Sequence, residues 1–223
     1  MKNIKEFIKR YGIYILISLC LIFGLSSLLF RNATLDDDLY LWETNIMAQA
    51  LSSGQWIGDY GVGTHGFLFK LPVALIFLLT GPSLEIATVW NVILACVSLY
   101  IFYLILKKYF KKESIALGGV FLLLTSFQFF LHIPTYMREI PVIFSLLLFI
   151  YLILNKKSYW LAGLSLLLVF DAKEYVAVMI LPGIFFYILW KEKGTTFWIS
   201  VKRYITSFVK LFLPTFVFLL LMI

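Results

Sequence analysis

An all-α integral membrane fold of about seven transmembrane helices is predicted by three features of the 223-residue chain. The composition is 62% hydrophobic and only 14% charged, with a mean hydropathy of +0.95, far from the balance of a soluble domain. Apolar runs recur at roughly the 20-residue length that a bilayer core demands. Basic residues gather in alternate connections between those runs, the pattern expected when every second connection faces the cytoplasm. A water-soluble enzyme is excluded, and so is a disordered chain. Nucleic acid is not an expected partner, because the net charge of +7 is distributed between apolar spans instead of along one hydrophilic face.

The first span, Ile13 to Phe30, follows Lys2, Lys5, Lys9 and Arg10. It is too long for a signal-peptide core and lacks a good small-residue cleavage site, so it reads as an uncleaved helix. Further spans are Ile86 to Leu106, Ser114 to Leu131, Ile140 to Leu154, Tyr159 to Phe170, Tyr175 to Trp190 and Phe208 to Ile223. Phe67 to Leu79 carries Lys70 and Pro72 and is too short to cross, which suggests a re-entrant or interfacial helix. Cys20 and Cys96 lie inside apolar runs and read as small buried residues, not as a disulfide or metal pair.

With a cytoplasmic amino terminus, 15 of the 19 basic residues fall on the inner side, leaving Arg31, Lys70, Arg138 and Lys173 outside. Nine of the 12 acidic residues fall outside. Topology does not require that bias, since carboxylates contribute little to orientation. The expected location is the cell membrane, with a functional site on its outer face. No repeat or linker divides residues 1–223, so they form a single membrane domain. The apolar run still open at Ile223 suggests the amino-terminal part of a longer protein.

Residues 31–85 form the longest outer loop and carry the candidate active site. Leu39, Trp42, Ile46, Met47 and Ala50 recur at helical spacing and Gly54 supplies a stop, predicting an amphipathic helix lying in the outer leaflet. Asp36, Asp37 and Asp38 sit at its amino terminus. Capping and dipole compensation explain one or two such acids, whereas three adjacent carboxylates repel one another and suit a cation, a basic ligand or catalysis. Downstream, His65 and Lys70 follow a glycine-rich approach. The second outer turn brings Arg138 beside Glu139, and the third holds Asp171, Lys173 and Glu174. Tyr159 to Trp190 is too short for two full spans, so these last charges should lie below the membrane surface, where ionisable groups are functional by default. Lys70, Arg138 and Lys173 suit the phosphate of an anionic headgroup on a lipid tail.

This order of features resembles the GT-C membrane glycosyltransferases, in the branch of protein O-mannosyltransferases and the lipid A aminoarabinose transferase. Asp36-Asp37 before Tyr40 resembles the family's acidic pair at the start of the first outer loop. Ser53-Gly54-Gln55-Trp56 resembles its Gly-Asp-Trp-like element, and Lys70-Leu71-Pro72-Val73 its Lys-Pro-Pro-Leu. Glu139 matches an acidic residue of the second loop. Asp171 to Tyr175 with Pro182-Gly183 resembles a later turn and helix. The glutamate that often precedes the lysine is replaced by Phe69.

The resemblance implies inverting transfer of a hexosyl or pentosyl group from a polyprenyl-phosphate donor to a protein, lipid or glycan acceptor. Asp36 is the first candidate for general base and Asp37 the second, with Asp38 left open. Lys70, Arg138 and Lys173 would hold the donor phosphate, and Glu139 would orient acceptor or sugar. No organic cofactor is expected. The metal question stays open, with a divalent ion the one candidate and His65 a stand-in for the missing glutamate. The alternatives are a non-catalytic or truncated membrane subunit and a lipid or solute transporter.

Overall fold

The computed structural model describes residues 2–29, 35–55, 66–155, 158–192 and 197–222. Every regular element among them is helical: α1 (Lys2–Ser26), α2 (Leu35–Ser53), α3 (Phe67–Thr80), α4 (Leu84–Phe110), α5 (Glu113–Thr125), α6 (Phe127–His132), α7 (Glu139–Leu154), α8 (Tyr159–Ala172), α9 (Glu174–Lys191) and α10 (Phe197–Met222). Four of these, α1, α4, α9 and α10, are long and apolar enough to cross a membrane. Helices α3, α5, α7 and α8 are apolar but shorter. At 1.5 Å per residue, the 14 residues of α8 rise only about 21 Å, less than a hydrocarbon core of about 30 Å.

Two boundaries and one helix face differ from the sequence expectation. The run from Ser114 to Leu131 divides into α5 and α6 at Ser126, whose backbone is extended at φ −63° and ψ 134° and whose hydroxyl donates to the Leu123 carbonyl at 2.7 Å. A serine that bonds nearby backbone competes with helix continuation. Helix α10 begins at Phe197, well before Phe208. In α2 the apolar residues separate into two sets. Met47 is buried against α3 and Ala50 is also buried, while Leu39 and Trp42 point outward, about half exposed. An amphipathic helix needs one apolar face, and α2 has two because α3 already covers part of it.

Three apolar clusters organise the bundle. Helices α1, α4 and α5 pack around Val92, Ala95, Leu99, Leu117 and Val120, joined by Phe129 and Ile133. Helices α7 to α10 pack around Phe149, Leu166, Ile184 and Leu211. Gly163 permits the close approach of α8 and α10, since a Cβ there would stand 2.4 Å from the Leu211 carbonyl oxygen. The third cluster caps one end: α2 and α3 meet over Met47, Phe69, Val73 and Phe77 with Ala87 and Tyr136.

The two ends of the bundle differ in charge. At one end the start of α2, the start of α3, the segment 133–138 and the α8–α9 junction are linked by hydrogen bonds. At the other, Lys108 donates to Asn155, Tyr159 to Glu192, and Lys107 pairs with Glu113. Connections assigned by the charge pattern to one side therefore meet at one end.

Candidate functional site

The charged end is assembled from segments far apart in sequence. Asn91 on α4 clamps the turn after α6, its side-chain amide donating to the carbonyls of His132, at 3.1 Å, and Thr135. That turn carries Tyr136 and Arg138. The Tyr136 N–H donates to Asp37 Oδ1 at 2.6 Å, and the Tyr136 hydroxyl shares a 2.9 Å hydrogen bond with Thr44. Asp37, Thr44 and Tyr136 are fully buried. Two turns of α2 are thereby stitched to a segment almost a hundred residues away, and burial raises the Tyr136 hydroxyl well above its usual range.

Asp171 performs a second stitch. Its backbone carbonyl accepts from the Gly66 N–H at 2.7 Å and its Oδ2 from the Leu68 N–H at 2.9 Å. A carboxylate at a helix amino terminus satisfies orphan donors and complements the dipole, so the end of α8 holds the start of α3. Gly66 has φ +76°, where a side chain is strained. A Cβ would also stand 3.3 Å from Arg138 Cδ, a tight contact, and 3.5 Å from Lys70 Cε, an ordinary one. That glycine lets the α3 amino terminus approach Arg138.

The three cations have different surroundings. Lys70 is completely buried, with its Nζ 2.7 Å from Glu43 Oε2 and 6.0 Å from the centre of the Tyr40 ring. Arg138 is half-buried, its Nε donating to the Tyr40 hydroxyl at 2.7 Å and its guanidinium carbon 5.3 Å from that ring. The terminal amino groups of Arg138 have no hydrogen-bond or ion-pair partner among the described residues. Lys173 pairs with Glu139 and lies 5.9 Å from the Tyr175 ring. Burial works to lower the Lys173 pKa, but the Glu139 carboxylate outweighs it and the net shift is upward. Tyr40 is shifted upward by burial, an effect that Arg138 partly offsets.

Of the residues singled out in the sequence, Asp37, Lys70, Arg138, Glu139 and Lys173 thus stand at one end of the bundle. Asp37 is occupied in holding Tyr136, whereas Asp38 is exposed. Asp36 belongs to the first turn of α2, and its side chain is outside the described residues, as are His65 and Trp56. Among the described residues no group of three or more His, Cys, Asp or Glu side chains is placed to hold a metal ion. Sequence reasoning did not single out Glu43, Thr44 or Tyr136. Glu43 was detectable, since it lies three residues after Tyr40 on the same helix face.

Over residues 64–220 the chain matches the family described as dolichyl-phosphate-mannose-protein mannosyltransferase. The matched stretch contains Lys70, Arg138, Glu139, Asp171 and Lys173 and begins after α2. Neither a curated protein nor a solved structure matches the chain.

Proposed function

From the premise that the chain belongs to the dolichyl-phosphate-mannose-protein mannosyltransferase family, of the GT-C type of membrane glycosyltransferase, we propose that it transfers a sugar from a polyprenyl-phosphate donor at the charged end of the bundle. The acceptor is a hydroxyl or amine of a protein, lipid or glycan. In the proposed topology this end lies at the outer face of the cell membrane and the amino terminus lies in the cytoplasm, as the lysine distribution favours.

The observation that carries this reading is Arg138. Its Nε donates to the Tyr40 hydroxyl and its guanidinium lies over the Tyr40 ring, while its terminal amino groups have no partner among the described residues. A guanidinium fixed on one edge and open on the other suits the paired oxygens of a phosphate. Lys70 and Lys173 already have carboxylate partners that offset most of their charge, so they fix the shape of the site while Arg138 makes the direct contact. In the reaction the bond between the anomeric carbon and the phosphate oxygen breaks, and the departing phosphate keeps the electron pair. The acceptor attacks from the opposite face and gives its proton to a carboxylate. Charge growing on the phosphate is stabilised by Arg138, which needs little reorganisation because Tyr40 holds it.

Asp36 is the proposed base. Positions 36, 40 and 43 follow the i, i+4, i+7 spacing of one helix face, the face on which Tyr40 meets Arg138 and Glu43 meets Lys70. Asp37 is less suited, because its Oδ1 already accepts a backbone hydrogen bond in a buried position. Glu139 orients the acceptor or the sugar through the Lys173 pair.

The test is transfer of radiolabelled sugar from a panel of polyprenyl-phosphate sugars, in membranes carrying the chain or its variants at equal expression. Asp36→Asn is expected to lose about a hundredfold or more of the rate, the size of a general-base contribution. Arg138→Gln is expected to lose about tenfold to a thousandfold. Full transfer by Asp36→Asn would move the base elsewhere, and no transfer from the unaltered chain with any donor would sink the reading.

A further inference from the structure

At the end of the bundle remote from Arg138, the amino-terminal part of α1 and the α4–α5 connection enclose a cavity of about 670 Å³. Its lining includes Lys9, Lys111, Lys112, Ile8 and Leu117. Glu113, the carboxylate in that lining, is engaged by Lys107 at 3.1 Å and by the Tyr103 hydroxyl. Lys9, Lys111 and Lys112 are exposed and form no ion pair within 4 Å among the described residues, although Lys9 acts through space on the Glu113 carboxylate. The helix start beside them is also uncapped by any side chain, with Lys112 in the N-cap position of the 13-residue α5. Exposed lysines and the positive end of a helix dipole both favour a bound anion, although Glu113 in the first turn of α5 already offsets part of that dipole.

Lys111 is the left-handed cap that ends α4, with φ +54° and its N–H bonded to the Lys107 carbonyl. One further observation points to a ligand. The cavity also continues along the bundle, through Ile8 and Leu117, into an apolar groove lined by Gly12, Ile15, Leu16, Gly118 and Phe121. A Cβ on Gly118 would meet nothing within 4 Å, so that glycine leaves an open floor.

We infer that this basic cavity and its apolar extension form a binding site for an anionic phospholipid of the leaflet on the amino-terminal side, with the headgroup phosphate between Lys9, Lys111 and Lys112 and an acyl chain along Gly118. The phosphate accounts for the unpaired cations, and the acyl chain for a groove with almost no polar surface. The site is separate from the proposed transfer chemistry, and its test does not depend on it.

The experiment is native mass spectrometry of the intact chain, released from detergent with equal amounts of phosphatidylglycerol and phosphatidylcholine of matched acyl length. Phosphatidylglycerol is expected to be retained in preference, and Lys9→Gln with Lys112→Gln to weaken that preference by on the order of thirtyfold. Lys111→Gly should reduce the preference without lowering the melting temperature, which separates the charge from any structural role. Gly118→Leu should displace lipid by filling the floor. Equal retention of the two lipids by the unaltered chain would overturn the inference, as would a preference that survives all three changes. Competition by soluble glycerol phosphate as effective as that of the lipid would replace it with a free-phosphate site. A lipid-free dimer broken by Gly118→Leu would make a second copy of the chain the occupant.

Discussion

Lysine and glutamate pair at both ends of this bundle, but the pairs are built differently. Lys70 and Glu43 have side chains 0% and 16% exposed, whereas at the opposite end Lys107 is 51% exposed in its pair with Glu113. A buried pair is costly to assemble and costly to break, because removing one partner strands a charge in a medium that cannot solvate it. An exposed pair contributes little, since water replaces either partner. The difference separates a charge that is part of the scaffold from one that serves orientation in the membrane or a mobile ligand. Arg138 lies between these extremes, held on one edge by Tyr40 and with no partner on the other among the described residues.

The largest effect that would break this contrast is expected at Lys70. Lys70→Ala should lower stability by about 3 to 5 kcal/mol, read as a loss of folded protein and of melting temperature in detergent, while Lys70→Met with Glu43→Gln should recover most of it. A double variant no better than Lys70→Ala would mean that the pair is not what holds α2 against α3. Gly66→Ala should cost about 1 to 2 kcal/mol from its left-handed backbone, with further loss of activity as the new methyl displaces Arg138. Equal melting temperatures for Gly66→Ala and the parent chain would contradict the strain. The smallest and sharpest comparison sets Lys173→Gln against Lys107→Gln. The first should cost roughly 1 kcal/mol or somewhat more, and the second less than about 0.5 kcal/mol, measured side by side by thermal unfolding. The reverse order would remove the distinction between the two ends.

Much of the architecture was legible because apolar length and helical period are local properties. The runs starting at Ile86, Ile140 and Tyr159 correspond to α4, α7 and α8, and the helix expected after the acidic triplet is α2, ending at Ser53 before Gly54 at φ +67°. The break at Ser126 was not legible, since the run also holds Gly118 and Gly119, which disfavour helix more than a serine does and yet lie inside α5. The relation between Asp37 and Tyr136 was not legible either. Three adjacent aspartates look equivalent in sequence, yet the structure buries Asp37 on a backbone N–H and leaves Asp38 exposed. Asp171 was noticed for its depth, but its contact with the first turn of α3 could not be read from its neighbours.

The sequence by itself determined that the chain is helical and apolar enough for a membrane, that its cations and carboxylates separate into alternate connections, and that Arg31, Lys70, Arg138 and Lys173 are the few bases set apart from the rest. Period and hydropathy carry that information within a window of some twenty residues. Only the tertiary structure decided that Glu43 meets Lys70, that Tyr40 meets Arg138 and that Asp171 holds the start of α3. These contacts join residues 27, 98 and 103 positions apart. Which helix faces meet is set by the packing of the whole bundle, and no local pattern records it.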